Sequence, residues 1–332
     1  MSFAAERCAA LVAGALALGC TRAEPPGSGP ATAPKAAHVV APPSASTKAP
    51  SRLPFEQLTW VWDDTPVGKM VVLVVLPERE PGERFPVLVT MHGRGESLKG
   101  PERGARGWVD DYALVRAMKR LAAPPLRSED FEGHVEPSRL SYLNQALSKT
   151  PYRGLIVVCP YTPGTLVGEQ PFAKAPPFAD FVTSTLLPRV YKETPALATR
   201  ESTGIDGVSL GGRASITSGL LRPQAFGAVS AIQAAFDVKD APEIASRARA
   251  ARERFPDLEL RLLTSEGDYF LRANRVIAAA LDRAGVEHEL LIVPGPHDYE
   301  FNRGPGAIEM LFFHDRVLRA KQTQAPSRAQ AP

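Results

Sequence analysis

Gly207-Val208-Ser209-Leu210-Gly211-Gly212 sets a serine between glycines where an apolar strand pattern, Thr203–Val208, gives way to a helical one. A serine hydroxyl is a weak nucleophile until a base takes its proton, so it needs a histidine, and the histidine needs an acid. A G-x-S-x-G turn at a strand-to-helix junction suits that chemistry. The sharp turn lifts the serine out of the sheet, and side chains at the flanking glycines would collide with neighbouring backbone. The same letters would also serve a glycine-rich turn with a capping serine, so the partners decide between the two.

Three histidines follow Ser209: His288, His297 and His314. His288 lies at the start of a strand pattern, and His314 falls within the last helical one, where packing is its expected role. His297 stands in Pro294-Gly295-Pro296-His297-Asp298-Tyr299, at the C-terminal end of the strand Glu287–Val293. A parallel sheet opens its active site at such ends. The acid is expected after the preceding strand, Leu258–Thr264, which runs into Ser265-Glu266-Gly267-Asp268. Asp268 is the choice, with Glu266 as competitor and Asp237 or Asp240 as more distant ones. The roles would then be divided in the usual way: Ser209 attacks, His297 shuttles the proton, and Asp268 orients the imidazole and stabilises its cation.

The elements that must hold these residues alternate between strand and helix. Residues 58–62 and 69–76, joined by Asp63-Asp64-Thr65-Pro66-Val67-Gly68, predict an antiparallel hairpin whose Trp60 and Trp62 pack on the domain. Phe85–Met91 and Leu155–Cys159 are continuous apolar runs, as in strands covered on both faces. Further strands are expected at 203–208, 225–232, 258–264 and 287–293. Helices are expected at 178–190 (with a break or kink at Pro188), from Gly211, near 242–254, at 271–284 and at 308–318. Such alternation predicts an α/β fold, a largely parallel sheet with helices on both faces.

Met91-His92-Gly93-Arg94-Gly95 follows the strand ending at Met91. With this loop and the serine turn, residues 85–320 resemble the α/β-hydrolase superfamily, and within it the esterase group that includes esterase D, feruloyl and acetylxylan esterases. The resemblance implies the α/β-hydrolase fold, triad members in the order Ser, acid, His, and an oxyanion hole of two backbone N–H groups. Carried over, those donors are the amides of Leu210 and of Arg94 or Gly93, each worth about 3–4 kcal/mol at the tetrahedral intermediate. His92 is then structural. About 60 residues separate His92 from the next core strand, a long connection for this fold. The stretch 96–153, with helical patterns at 108–121 and 140–147, is expected as a lid or side wall; Trp108, Asp110, Asp111 and Tyr112 are its candidates for substrate contact, and surface helices with ordinary packing explain them equally well.

The ends belong to export rather than to the fold. Residues 1–20 carry one Arg7 before an apolar run too short for a permanent membrane span, which has the shape of a secretory signal. Leu16-Ala17-Leu18-Gly19-Cys20 resembles a bacterial lipobox, which implies acylation of Cys20. Residues 21–52 contain seven Pro, eight Ala and no aromatic residue, so they are expected as a disordered tether. The catalytic domain is placed at 53–320 and a disordered tail at 321–332. Overall the 332 residues are 44% hydrophobic and 23% charged, an ordinary globular composition, and the net charge of +3 is too balanced to argue for nucleic acid. Three cysteines exclude a disulfide framework, and Cys159 reads as a small buried hydrophobe. No phosphate loop, zinc motif or dinucleotide fingerprint occurs, so neither cofactor nor metal is expected. The expected function is a serine carboxylesterase acting on a small or polysaccharide-linked acyl ester, exported and lipid-anchored or secreted. A peptidase or acyltransferase of the same fold, or a binding protein that kept it, stands as the alternative.

Overall fold

Met70–Leu76 reads MVVLVVL, and all seven residues are buried. Only a strand covered on both faces can bury every position, because successive side chains point to opposite sides. Its even positions, Met70, Val72, Val74 and Leu76, join one apolar cluster, while Leu73 and Val75 join a second on the other face. The computed structural model describes residues 54–324, with side chains to 321. The leader, Cys20, the 21–52 tether and residues 325–332 lie outside the described residues.

Eight strands form one sheet: β1 (Glu56–Trp62), β2 (Met70–Leu76), β3 (Val87–Met91), β4 (Ile156–Pro160), β5 (Thr203–Gly207), β6 (Ala228–Ile232), β7 (Glu259–Gly267) and β8 (Glu289–Pro296). Their order is β1-β2-β4-β3-β5-β6-β7-β8. β1 and β2 form the expected hairpin, and β2 also pairs antiparallel with β4. From β4 through β8 every pairing is parallel. Trp60 and Trp62 pack on the domain as predicted, with the Arg189 guanidinium 4.5 and 5.1 Å from their ring centres and Phe181 edge-on to Trp62.

Expectations for three segments are refined. The helix expected at 178–190 does not break at Pro188; a π-helical turn at Phe181–Leu186 precedes it and the chain stays helical to Glu193. A widened turn relieves the clash between the proline ring and the carbonyl four residues back. The last helix runs Ala307–Gln324, so Lys321–Gln324, expected in the tail, continue it. Of the lid and the side wall expected for 96–153, the packing is that of a wall: Leu114, Met118, Leu121, Leu143 and Leu147 enter the same apolar cluster as Ile308 and Leu311 of the last helix.

Candidate active site

Ser209 sits where β5 ends and the helix Leu210–Leu221 begins, with φ 57° and ψ −113°. A positive φ at a residue with a side chain costs of order 1–3 kcal/mol and persists only where the surroundings over-determine it. Here they do. The Ser209 amide donates to Ile232 O at 2.9 Å, and its carbonyl accepts from Arg213 N and Ala235 N, each at 3.0 Å. The turn is also too crowded for side chains: a β-carbon on Gly211 would lie 2.2 Å from Met91 O, and one on Gly207 would lie 2.5 Å from the Gly211 carbonyl. The helix therefore starts pressed against the end of β3, and Ser209 stays half exposed above it.

β7 and β8 run further than their sequence pattern predicted, so Asp268 and His297 directly follow strand ends. After a register irregularity between Ser265 and Gly267, Gly267 pairs with Pro296. The next residue on each strand is a member of the expected triad. His297 Nδ1 lies 2.8 Å from Asp268 Oδ1. Asp268 also accepts from Thr264 Oγ1 at 2.6 Å and Phe270 N at 2.9 Å, which fixes the carboxylate before the imidazole meets it. The side chain of Asp268 is fully buried, whereas Glu266 is exposed. Asp237 and Asp240 cap the short helical turn Val238–Asp240 instead. Gln233 braces the strand ends from below, its amide donating to Ser265 Oγ at 2.7 Å and Pro296 O at 2.8 Å.

The other histidines are placed elsewhere. His314 is buried with Nε2 3.0 Å from Asp206 Oδ2, beneath β5, and burial lowers its pKa. His288 Nδ1 meets Val286 O at 2.9 Å. His92 is buried beside Ser209's turn but is fully engaged: its Nε2 accepts from Thr162 N at 2.9 Å, so Nδ1 carries the hydrogen and donates to Gly93 O, also at 2.9 Å. Burial depresses its pKa to about 4 and keeps it neutral. It pins the loop after β3 to the loop after β4.

That loop reaches the serine. A β-carbon on Gly93 would lie 3.8 Å from Ser209 Cβ. Of the two amides expected at its oxyanion side, Gly93 N donates to the Tyr112 hydroxyl at 3.3 Å. Arg94 N and Leu210 N, each opening a helix, donate to no acceptor among the described residues. Trp108 and Tyr112, open in the sequence to substrate contact or to packing, are packed. Trp108 is fully buried and Tyr112 is 2% exposed, packed edge-on at 5.1 Å underneath the loop. Asp110 pairs with Arg106 and Asp111 with Lys99.

Two aromatics that sequence reasoning missed stand at the rim. Tyr269 is 71% exposed, with its ring centre 4.1 Å from that of His297, and Tyr299 is 41% exposed, two residues past it. Their only sequence signal is adjacency to Asp268 and His297. Glu96 was missed too. Among the described residues no cluster of three or more His, Cys, Asp or Glu side chains is placed to hold a metal ion.

A protein-family model described as "Putative esterase" matches residues 164–253, which contain the serine turn. No curated protein sequence matches the chain. Among solved structures it is similar to a ferulic acid esterase (17% identity, TM-score 0.59), covering 80% of this chain and 99% of that one. It is also similar to a fluorophosphonate-binding serine hydrolase of Staphylococcus aureus (14%, 0.55), covering 79% of this chain and 99% of that one. A ferulic acid esterase of the fungus Anaeromyces mucronatus is a third (18%, 0.53), covering 83% of this chain and 94% of that one. These likenesses bear out the α/β-hydrolase fold, and the family match bears out the resemblance to its esterase group and the reading of the chain as a hydrolase acting on esters.

Proposed function

We propose that this chain is a serine carboxylesterase working through an acyl-enzyme, with Ser209 as nucleophile, His297 as general base and acid, and Asp268 as its orienting acid. The observation that carries the reading is the strained turn holding Ser209 half exposed, with the His297–Asp268 pair on strand ends of the same edge of the sheet. Asp268 bonded to Nδ1 leaves Nε2 as the nitrogen to take the serine proton. The hydroxyl oxygen then adds to the ester carbonyl, whose oxygen becomes negative. The amides of Leu210 and Arg94 are the groups that stabilise it, since Gly93 N is committed to Tyr112. The proton passes from His297 to the departing alcohol. Water, deprotonated by the same imidazole, releases the acid and restores Ser209.

The substrate is an acyl ester of a small alcohol or of a polysaccharide. Attack by an activated serine hydroxyl needs only an acyl carbonyl within its reach. The leader and the Cys20 lipobox support a protein exported and held at a membrane by a lipid, with the Ala/Pro-rich stretch as a tether.

Turnover of 4-nitrophenyl acetate and of acetylated and feruloylated saccharides tests the reading. The wild type should hydrolyse at least one of them, and Ser209→Ala and His297→Ala should each fall to a small background with unchanged circular dichroism. Equal rates in wild type and Ser209→Ala would contradict it.

A further inference from the structure

We propose that Glu96 is a positioning residue of this site: its carboxylate ties the loop bearing the Arg94 amide to the loop bearing His297, through the hydroxyls of Tyr112 and Tyr299. The inference rests on the esterase reading above. Glu96 is 1% exposed, in the short helix Arg94–Ser97 directly after the oxyanion loop. Tyr299 donates to its Oε1 at 2.7 Å, and Tyr112 donates to its Oε2. Lys99 Nζ lies 3.6 Å from Oε1 and 2.7 Å from Asp111.

Each bond leads to a reacting part. Tyr112 accepts from Gly93 N, so the carboxylate reaches through one phenol to the backbone that packs on Ser209. Tyr299 lies two residues past His297, on the first turn of the segment that leaves β8. One side chain thus joins the loop after β3 to the segment after β8. The two phenol rings also touch, 5.8 Å between centres. Their hydroxyls are held protonated: the Tyr299 pKa is raised first by its bond to Glu96, and the Tyr112 pKa first by burial and then by Glu96.

Packing alone does not explain a carboxylate here. Burying a charge is costly, and an apolar side chain of similar volume would fill the space at no such cost. What a carboxylate adds is two acceptor oxygens in one rigid plane, which sets the two phenols at a fixed separation. An offset of about 1 Å in a reacting group can cost about a hundredfold in rate, so such a tie matters to turnover beyond its share of stability.

The test compares Glu96→Gln, Tyr299→Phe and the double variant in the full chain, with 4-nitrophenyl acetate as substrate and an aryl trifluoromethyl ketone as transition-state mimic. Tyr299→Phe removes one hydroxyl from a half-exposed ring, so it folds even if Glu96→Gln does not. We expect kcat to fall by roughly ten- to a hundredfold with KM changed by less than about threefold, and affinity for the ketone to fall in parallel. The double variant should lose little more than the worse single one, because both break the same tie. Wild-type kcat in Tyr299→Phe, or a lower kcat with unchanged ketone affinity, would overturn the positioning role while leaving the esterase reading intact. A wild type that neither turns over esters nor binds the ketone would overturn both.

Discussion

Asp268 and His297 meet at 2.8 Å because each is the next residue beyond the last paired position of two neighbouring parallel strands. Gly267 and Pro296 form that pair, so a relationship spanning 29 residues of sequence is set by backbone register. The Thr264 hydroxyl and the Phe270 amide hold the carboxylate, so the imidazole inherits its orientation from the strand rather than from a mobile loop.

Asp268→Asn should therefore be severe and Glu266→Gln mild. An asparagine keeps the shape but turns the imidazole to the wrong tautomer, a loss on the order of 10⁴ in kcat for an aspartate in this role. Glu266 is exposed and takes no part in the Asp268–His297 bond, so its variant should retain wild-type kcat. Steady-state kinetics on any accepted ester separates them, and the reverse ranking would reassign the acid.

Gly211→Ala asks whether the elbow needs its close approach. The new β-carbon would lie 2.2 Å from Met91 O and 2.7 Å from His92 O, both backbone atoms that cannot step aside. We expect a fall in melting temperature and loss of turnover together, since relieving the clash must move the helix that begins beside Ser209. A folded, fully active Gly211→Ala would show that the elbow tolerates the shift.

His92 supplies a pH dependence of known sign. Its pKa is about 4 in the folded protein and about 6.5 in the unfolded chain, so the unfolded chain binds more protons between those values. Stability from this site is complete above pH 6.5 and is lost as pH falls towards 4. The melting temperature of the wild type should drop more steeply across that window than that of His92→Gln, which cannot be protonated there. Parallel curves would mean that His92 is not held neutral by burial.

The parts of this site that could be read from the letters are those governed by local pattern. The glycines around Ser209 signal a crowded turn, and the apolar runs before Asp268 and His297 signal buried strands, because close packing leaves few residue choices there. The strand ends look shorter in the letters than they are, since Gly267 and Pro294-Gly295-Pro296 resemble turn residues. β8 is the edge strand, however, and an edge tolerates residues that offer no N–H to a neighbour. For Trp108 and Tyr112 the letters leave substrate contact and packing open, because Trp-Val-Asp-Asp-Tyr has a polar look; tertiary packing turns both rings inward. The Glu96–Tyr299 bond had no local signal at all: its partners are 203 residues apart.

The most direct test of the central claim is fluorophosphonate labelling of the chain from residue 53, read by intact mass beside Ser209→Ala. An activated serine reacts whatever its natural ester, so the substrate need not be known. The account predicts one adduct on the wild type and none on the variant. A folded wild type that takes no adduct, or a Ser209→Ala protein that takes the same one, would contradict it.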